Sequence, residues 1–330
     1  MPRPIILRTD TEVRFTEADF ARLGAVAEMV TPPDYQEETL IRAAAECDPD
    51  IISTSLFAPV TARVMAAAPR LKAVVKYGVG VDNIDVEEAT RLGVMVVNCP
   101  EYGSETVADH AFSMMIGLAR KTIHIDRAMR ERAWMWPDLE FIGVDLFAKT
   151  IGIVGLGRIG RAMARRCGGF GMRRLACDPY VEAETFAEHG CERVGLDVLL
   201  EQSDFVSIHC VLTPETRGFI DAAALERMKE TAFIVNVSRG AIIQGDVLAT
   251  ALAGGGIAGA GLDVFPEEPV LPDNPLLAMD NVILTPHLAW YTVEADERLS
   301  NESTDRTLEF LEGKTPRNLV NAEGLRARNG

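Results

Sequence analysis

Short apolar runs alternate with helical stripes along most of the chain. Runs at 5–7, 50–53, 72–77 and 94–98 read as strands, and the stretches 17–30, 58–68 and 86–92 carry apolar residues at helical spacing. The stretch 104–120 predicts a long helix. Ser104 is placed to cap it, Glu105 stands in its first turn, and Val107, Ala111, Met114, Met115 and Leu118 share one face. The segment 123–148 has poor periodicity and holds Trp134 and Trp136. It reads as an arm or long loop, packed either in an interface or within the subunit. From 150 the alternation resumes: strand 151–154, a helix to about Phe170, and a second apolar run ending at Asp178. Helix 196–201, strand 205–209, helix 222–228, strand 232–236, helix 246–253 and strands 258–262 and 281–284 follow. A last helix, 293–311, precedes a tail, 314–330. Such alternation implies parallel sheets with helices on their faces.

One junction carries more than periodicity. Gly155, Gly157 and Gly160 stand in G-x-G-x-x-G spacing between the strand at 151–154 and its helix, and Asp178 ends the next strand. Gly155 permits a tight turn, Gly157 lets backbone approach a pyrophosphate, and Gly160 lets helix pack on strand. Amides of Leu156, Arg158 and Ile159 would then face phosphates at the helix N-terminus. Asp178 could accept from both ribose hydroxyls and would repel a 2′-phosphate, which favours NAD over NADP. The alternative is a glycine-rich turn with no ligand. The reading that follows is α/β: two Rossmann-like doubly wound parallel-sheet domains, with the NAD domain (101–289) inserted into a substrate domain made of 1–100 and 290–330.

Composition narrows the setting. The 330 residues are 48% hydrophobic and 25% charged, as in soluble globular proteins, and the net charge of −16 disfavours nucleic acid or an anionic membrane as partner. No apolar stretch is long enough to span a bilayer, and no secretory signal is expected at the start. The six cysteines form no C-x-x-C pair, so reduced thiols and a cytoplasmic location are expected. No His, Cys and carboxylate set has metal-ligand spacing, so no metal is expected. Ser238 lacks the context of a hydrolase nucleophile.

Several polar residues stand just beyond predicted strands: His209, Arg239, Asp263 and His287, with Glu268 five residues past Asp263. Strand ends of such a sheet face the ligand. An Arg, a His and a carboxylate beside a nicotinamide suggest hydride transfer to a carbonyl next to a carboxylate. Arg239 would anchor the substrate with its planar fork of donors. His287 would exchange the proton, and Glu268 would orient the imidazole. His209, with Cys210, Thr216, Val237 and Ser238, is read as lining the nucleotide. His110, His124 and His189 are read as ordinary histidines without partners. The loop from Gly78 to Gly80 could offer amides to an anion, with an ordinary βα turn as the equal alternative.

At these residues the sequence resembles the D-isomer-specific 2-hydroxyacid dehydrogenases nearly end to end. The likeness rests on KYGVGVDNID (76–85), NCPEYGSETVADHA (98–111), IVGLGRIGRA (153–162), VSIHCVLTPETR (206–217), NVSRGAII (236–243), GAGLDVFPEEP (259–269) and NVILTPHLAWYT (281–292). It looks most like the C-terminal-binding-protein branch, with phosphoglycerate dehydrogenases and hydroxypyruvate reductases as close relatives. The resemblance implies Arg239, Glu268 and His287 as the catalytic set and Asp263 as the residue holding the nicotinamide amide. It also implies Lys76, Val79, Gly80 and Trp290 on the substrate side, NAD(H) as cofactor, a small 2-keto or 2-hydroxy acid as substrate, and a homodimer. Val211 departs from the family's usual proline. The competing expectation is an NAD(H)-sensing interaction protein with little turnover. Formate-type oxidation is disfavoured, because those relatives pair the histidine with a neutral amide.

Overall fold

Each predicted strand pairs in parallel with its neighbours, and the sheets are two. The computed structural model describes residues 3–9, 11 and 13–329. One compact unit comprises the chain up to Gly103 together with the part from Thr292 on; the other is Ser104–Tyr291.

The first unit contains β1 (Ile5–Arg8), α1 (Glu17–Val26), β2 (Glu28–Val30), α2 (Glu37–Cys47), β3 (Ile51–Thr54), α3 (Ala62–Ala66), β4 (Ala73–Lys76), α4 (Val86–Leu92) and β5 (Met95–Val97). Its sheet runs β2-β1-β3-β4-β5, all parallel. Alternate side chains go to opposite faces. Leu7, Ile52, Val74 and Val96 pack under α2, α3 and α4, while Ile6, Ile51, Ala73 and Val75 pack with Leu23 of α1 and with Leu308 of the helix Val293–Leu311.

Four expectations are corrected here. The helix expected over 17–30 stops at Val26, because Ala27 is extended and Glu28–Val30 pair with Ile5–Leu7. Sheet pairing overrides a helical stripe over so short a stretch. The helix Glu37–Cys47 was not foreseen; it buries only Thr39, Leu40 and Ala44, too narrow a stripe to stand out. The helix expected at 58–68 shrinks to Ala62–Ala66, since Val60 bridges to Ile84 and Thr61 caps the helix through Val64 N. The tail contains a helix, Ala322–Asn329, preceded by buried Asn321, whose side chain bonds Val96 N and Val94 O.

The second unit opens with α5 (Ser104–Arg120) and α6 (Thr122–Arg132). The latter corrects the irregular arm expected at 123–148. Only Ala128 of α6 is buried, so no apolar stripe announces the helix, and pairs such as Asp126–Arg130 line its surface. Then come β6 (Thr150–Val154), α7 (Arg158–Gly169), β7 (Arg173–Cys177), α8 (Ala183–Glu188), β8 (Glu192–Arg193), α9 (Leu196–Gln202) and β9 (Phe205–Ile208). The unit continues with α10 (Ala222–Glu226), β10 (Phe233–Asn236), α11 (Gly245–Ala253), β11 (Gly259–Leu262) and β12 (Val282–Leu284). The order β12-β11-β10-β9-β6-β7-β8 reverses direction beside β6. That reversal is the topological switch point, where the strand ends of a doubly wound sheet leave room for a ligand.

The glycines of the β6–α7 turn serve different ends. Gly155 has φ +91°, and a Cβ there would meet Cys210 N at 2.5 Å. A Cβ on Gly160 would strike the Gly155 carbonyl. A Cβ on Gly157 would meet nothing within 4 Å. Gly160→Ala is therefore expected to lower stability by about 2 kcal/mol, whereas Gly157→Ala stays within about 0.5 kcal/mol of wild type. Thermal unfolding of both variants checks this; equal losses would contradict the packing account.

Candidate active site

The β6–α7 turn is tied to the neighbouring strand end. Leu156 N–H donates to Asp178 Oδ2 at 2.8 Å, and Tyr180 N–H donates to Oδ1 at 2.9 Å. The carboxylate thus fixes the turn while remaining half-buried. Helix α7 begins at Gly157 with no side-chain cap, so the amides at its N-terminus are left for another acceptor. An open space over Gly157, an uncapped helix start and a carboxylate at the next strand end suit the pyrophosphate and ribose of a dinucleotide.

Around this turn, His209 shares a hydrogen bond between Nε2 and Ser207 Oγ at 2.9 Å. Its Nδ1 is buried without a partner, and burial pushes its pKa down to about 3, so the ring is neutral. Burial also pushes the Cys210 thiol up to about 12, which keeps it protonated. Ser238 Oγ donates to the Cys210 carbonyl, and Thr216 Oγ1 donates to the Val211 carbonyl at 2.7 Å. Val237 is buried beside them in the sheet's core.

The chemistry-bearing groups gather at the ends of β10, β11 and β12. Glu268 Oε2 accepts from His287 Nδ1 at 2.7 Å, and Oε1 accepts from Phe265 N–H at 2.8 Å. Since a carboxylate accepts, His287 carries a proton on Nδ1, which leaves Nε2 for another partner. Burial alone would raise the Glu268 pKa. The hydrogen bond and charge of His287, the Phe265 amide and the charge of Arg239 outweigh it, leaving Glu268 below the usual carboxylate range. Arg239 is extended and donates from a guanidinium nitrogen to the Ser238 carbonyl at 2.7 Å. Trp290 packs edge-on against Tyr291.

Asp263 directly follows β11. It is fully buried, and its carboxylate accepts from Thr285 Oγ1 at 2.5 Å, Leu288 N–H at 2.8 Å and Ala289 N–H at 2.9 Å. These bonds direct the carboxylate to the loop that carries His287. The loop needs such a clamp, because His287 has φ +57°, a left-handed conformation that non-glycine residues seldom adopt. Its amide also bonds the Asp263 carbonyl at 2.7 Å.

Lys76 is enclosed as well. At 2% exposure it is among the largest buried side chains, and its ammonium donates to the Ser55 carbonyl at 2.5 Å and Asn83 Oδ1 at 2.6 Å. It braces the loop after β4 from within. Of that loop, Val79 is exposed and Gly80 half-exposed, with the Val79 carbonyl accepting from Asn98 Nδ2 at 2.7 Å.

Two histidines read as partnerless have partners. His124 Nε2 lies 3.2 Å from Glu140 Oε1, and His110 Nε2 lies 2.9 Å from Thr285 Oγ1, at the edge of the catalytic loop. The available signal was position: His110 stands one turn from Val107 and from Met114 on the packed face of α5, where a polar group requires a partner. Among the described residues, no His, Cys, Asp and Glu group is arranged to hold a metal.

Residues 112–289 match the family model described as D-isomer specific 2-hydroxyacid dehydrogenase, NAD binding domain. The chain is 44% identical over 299 residues to a glyoxylate reductase of Korarchaeum cryptofilum, covering 90% of this chain and 89% of that protein. It is 39% identical over 324 residues to a D-3-phosphoglycerate dehydrogenase of Mycobacterium tuberculosis, covering 98% of this chain but 60% of that protein. A D-lactate dehydrogenase of Aquifex aeolicus, solved with NAD and lactic acid, superposes with a TM-score of 0.85 at 27% identity, over 94% of this chain and 96% of that one.

A pH dependence follows from Glu268. Its pKa is lower folded than unfolded, so its stabilisation is fully present above the ordinary value of about 4.3 and is lost as pH falls through the folded value. In urea unfolding, wild type is expected to exceed Glu268→Gln in stability near neutrality, with the gap narrowing from pH ~5 to ~3. A gap that held constant or widened toward acid would contradict the pairing.

Proposed function

The chain belongs to the D-isomer-specific 2-hydroxyacid dehydrogenases, and from that premise we propose that it reduces a short, unphosphorylated 2-keto acid, glyoxylate foremost, with NADH. The observation that carries the reading is the 2.7 Å bond between His287 Nδ1 and Glu268, on a loop clamped by Asp263. A nucleotide-binding fold alone does not call for an oriented imidazole at a strand end. The choice of an unphosphorylated substrate is supported by the burial of Lys76 and by the lack of any Arg or Lys from Tyr77 to Asp85. The roles of Val79 and Gly80 toward a carboxylate, and of Trp290 toward a substrate side chain, rest on the resemblance alone.

The residues divide the work as follows. Amides of Gly157, Arg158 and Ile159 are assigned to the pyrophosphate, while Gly155 and Leu156, whose N–H groups donate to the Cys177 carbonyl and to Asp178, shape the turn; Asp178 is assigned to the ribose hydroxyls, whose 2′-phosphorylated form it would repel. His209, Cys210, Thr216, Val237 and Ser238 line the nucleotide's path. The bound nicotinamide supplies the hydride. Arg239 holds and polarises the keto acid, and His287 Nε2 gives the proton to its oxygen. Glu268 stabilises the imidazolium that precedes this transfer and holds the ring in line. The sensor alternative draws no support from the relatives described above, all of them enzymes. All six cysteines are unpaired, which accords with a cytoplasmic, reducing setting. Among the described residues, no helix is long and apolar enough to cross a membrane.

We also propose a homodimer through the segment after α6. There Trp134 is 69% exposed, Trp136 79% and Leu139 78%, an apolar surface that water disfavours. Light scattering should give twice the chain mass, falling toward one for Trp134→Ser with Trp136→Ser; a monomeric wild type would refute the assignment. For the chemistry, NADH oxidation is expected with glyoxylate. His287→Ala should lower kcat by roughly 100-fold or more while the NADH dissociation constant stays within about threefold. Undiminished turnover in that variant would remove His287 from the mechanism.

A further inference from the structure

The hydrogen bond of His110 reaches the segment that carries His287. His110 sits on α5, with Nε2 2.9 Å from Thr285 Oγ1. Thr285 Oγ1 lies 2.5 Å from Asp263 Oδ1, the oxygen that also accepts from Leu288 N–H. Hydrogen-bond bookkeeping fixes the direction of this chain. The Asp263 carboxylate already accepts from two backbone amides and only accepts, so the single hydroxyl proton of Thr285 is donated to it. The hydroxyl is left with lone pairs toward His110, which must donate from Nε2. At 3.7 Å, His110 is too far from Asp263 to bond it directly, so it acts through Thr285.

Thr285 stands two residues before His287, and Leu288 directly follows it. The chain His110–Thr285–Asp263 therefore grips the left-handed residue from both sides. Resting on the reading that His287 is the acid/base, we propose that His110 is a positioning residue for it. Its Nε2–H orients the Thr285 hydroxyl, which completes the Asp263 clamp and holds the imidazole in line with the substrate oxygen. His110 does not touch reacting atoms. Its effect comes through geometry, to which proton and hydride transfer are sensitive on the scale of an ångström.

The test compares His110→Ala, His110→Gln and Thr285→Val with wild type by two readouts. One is the single-turnover rate of NADH oxidation by glyoxylate, set beside the NADH dissociation constant. The other is amide hydrogen exchange at Leu288 and Ala289 in the ligand-free protein. His110→Ala is expected to slow hydride transfer about tenfold, to leave NADH binding within about twofold, and to speed exchange at both amides about tenfold. His110→Gln, whose amide N–H reaches as far as Nε2, should restore both. Thr285→Val, nearly isosteric, should reproduce His110→Ala, and the double variant should add little to either. The proposal is overturned if exchange at Leu288 and Ala289 is the same in His110→Ala as in wild type, or if glutamine rescues no better than alanine. If His110→Ala does not fold, Thr285→Val and His110→Gln decide by the same readouts. If wild type leaves glyoxylate and other 2-keto acids untouched, the functional reading fails, while the exchange comparison still decides the positioning role.

Discussion

A carboxylate removed from water costs several kcal/mol unless donors surround it. Asp263 meets that demand with three donors, Thr285 Oγ1 and the amides of Leu288 and Ala289, all from one short segment. The segment cannot relax without exposing an unpaired buried charge. That constraint holds His287 at φ +57°, a conformation it would not keep by itself. With the backbone fixed, Glu268 needs only to settle the ring: one oxygen takes Nδ1, the other is anchored by Phe265 N–H. The ring is thus held from the outside in, from a buried strand end to a loop and then to a ring nitrogen.

The same sheet treats its other ligand-facing end differently. At the β6–α7 turn the anchoring carboxylate, Asp178, stays half-buried and bonds Leu156 N–H, leaving the helix N-terminus uncapped. One strand-end acid is sealed so that a side chain is rigid. The other remains accessible. The glycines follow this division: Gly155 and Gly160 answer to contacts within the protein, and Gly157 faces open space.

Much of this was legible in the chain because it is local. The glycine spacing, the strand–turn–helix context and the placement of Arg239, Glu268 and His287 just past strands are written within short windows. What escaped depends on contacts far apart in sequence. Glu28–Val30 became a strand because Ile5–Leu7 lay beside it, and α6 formed without an apolar stripe. His110 looked ordinary because its partner, Thr285, is 175 residues away. The bonding of Asp263 and Lys76 within their own units was not legible, for a related reason. A motif gives the position of an acid or an ammonium, but burial decides whether it points to a ligand or into the protein, and both were enclosed by donors or acceptors of their own unit.

In the proposed reaction this clamp presents the imidazole to a keto oxygen while hydride arrives at the adjacent carbon. The most direct measurement is a single turnover of NADH deuterated at the transferred C4 position with glyoxylate, run in H2O and in D2O. Deuterium is expected at C2 of the hydroxy acid, with nicotinamide and solvent deuteration each slowing the same step. Bound but unoxidised NADH at saturating keto acid, or label released to water, would contradict it.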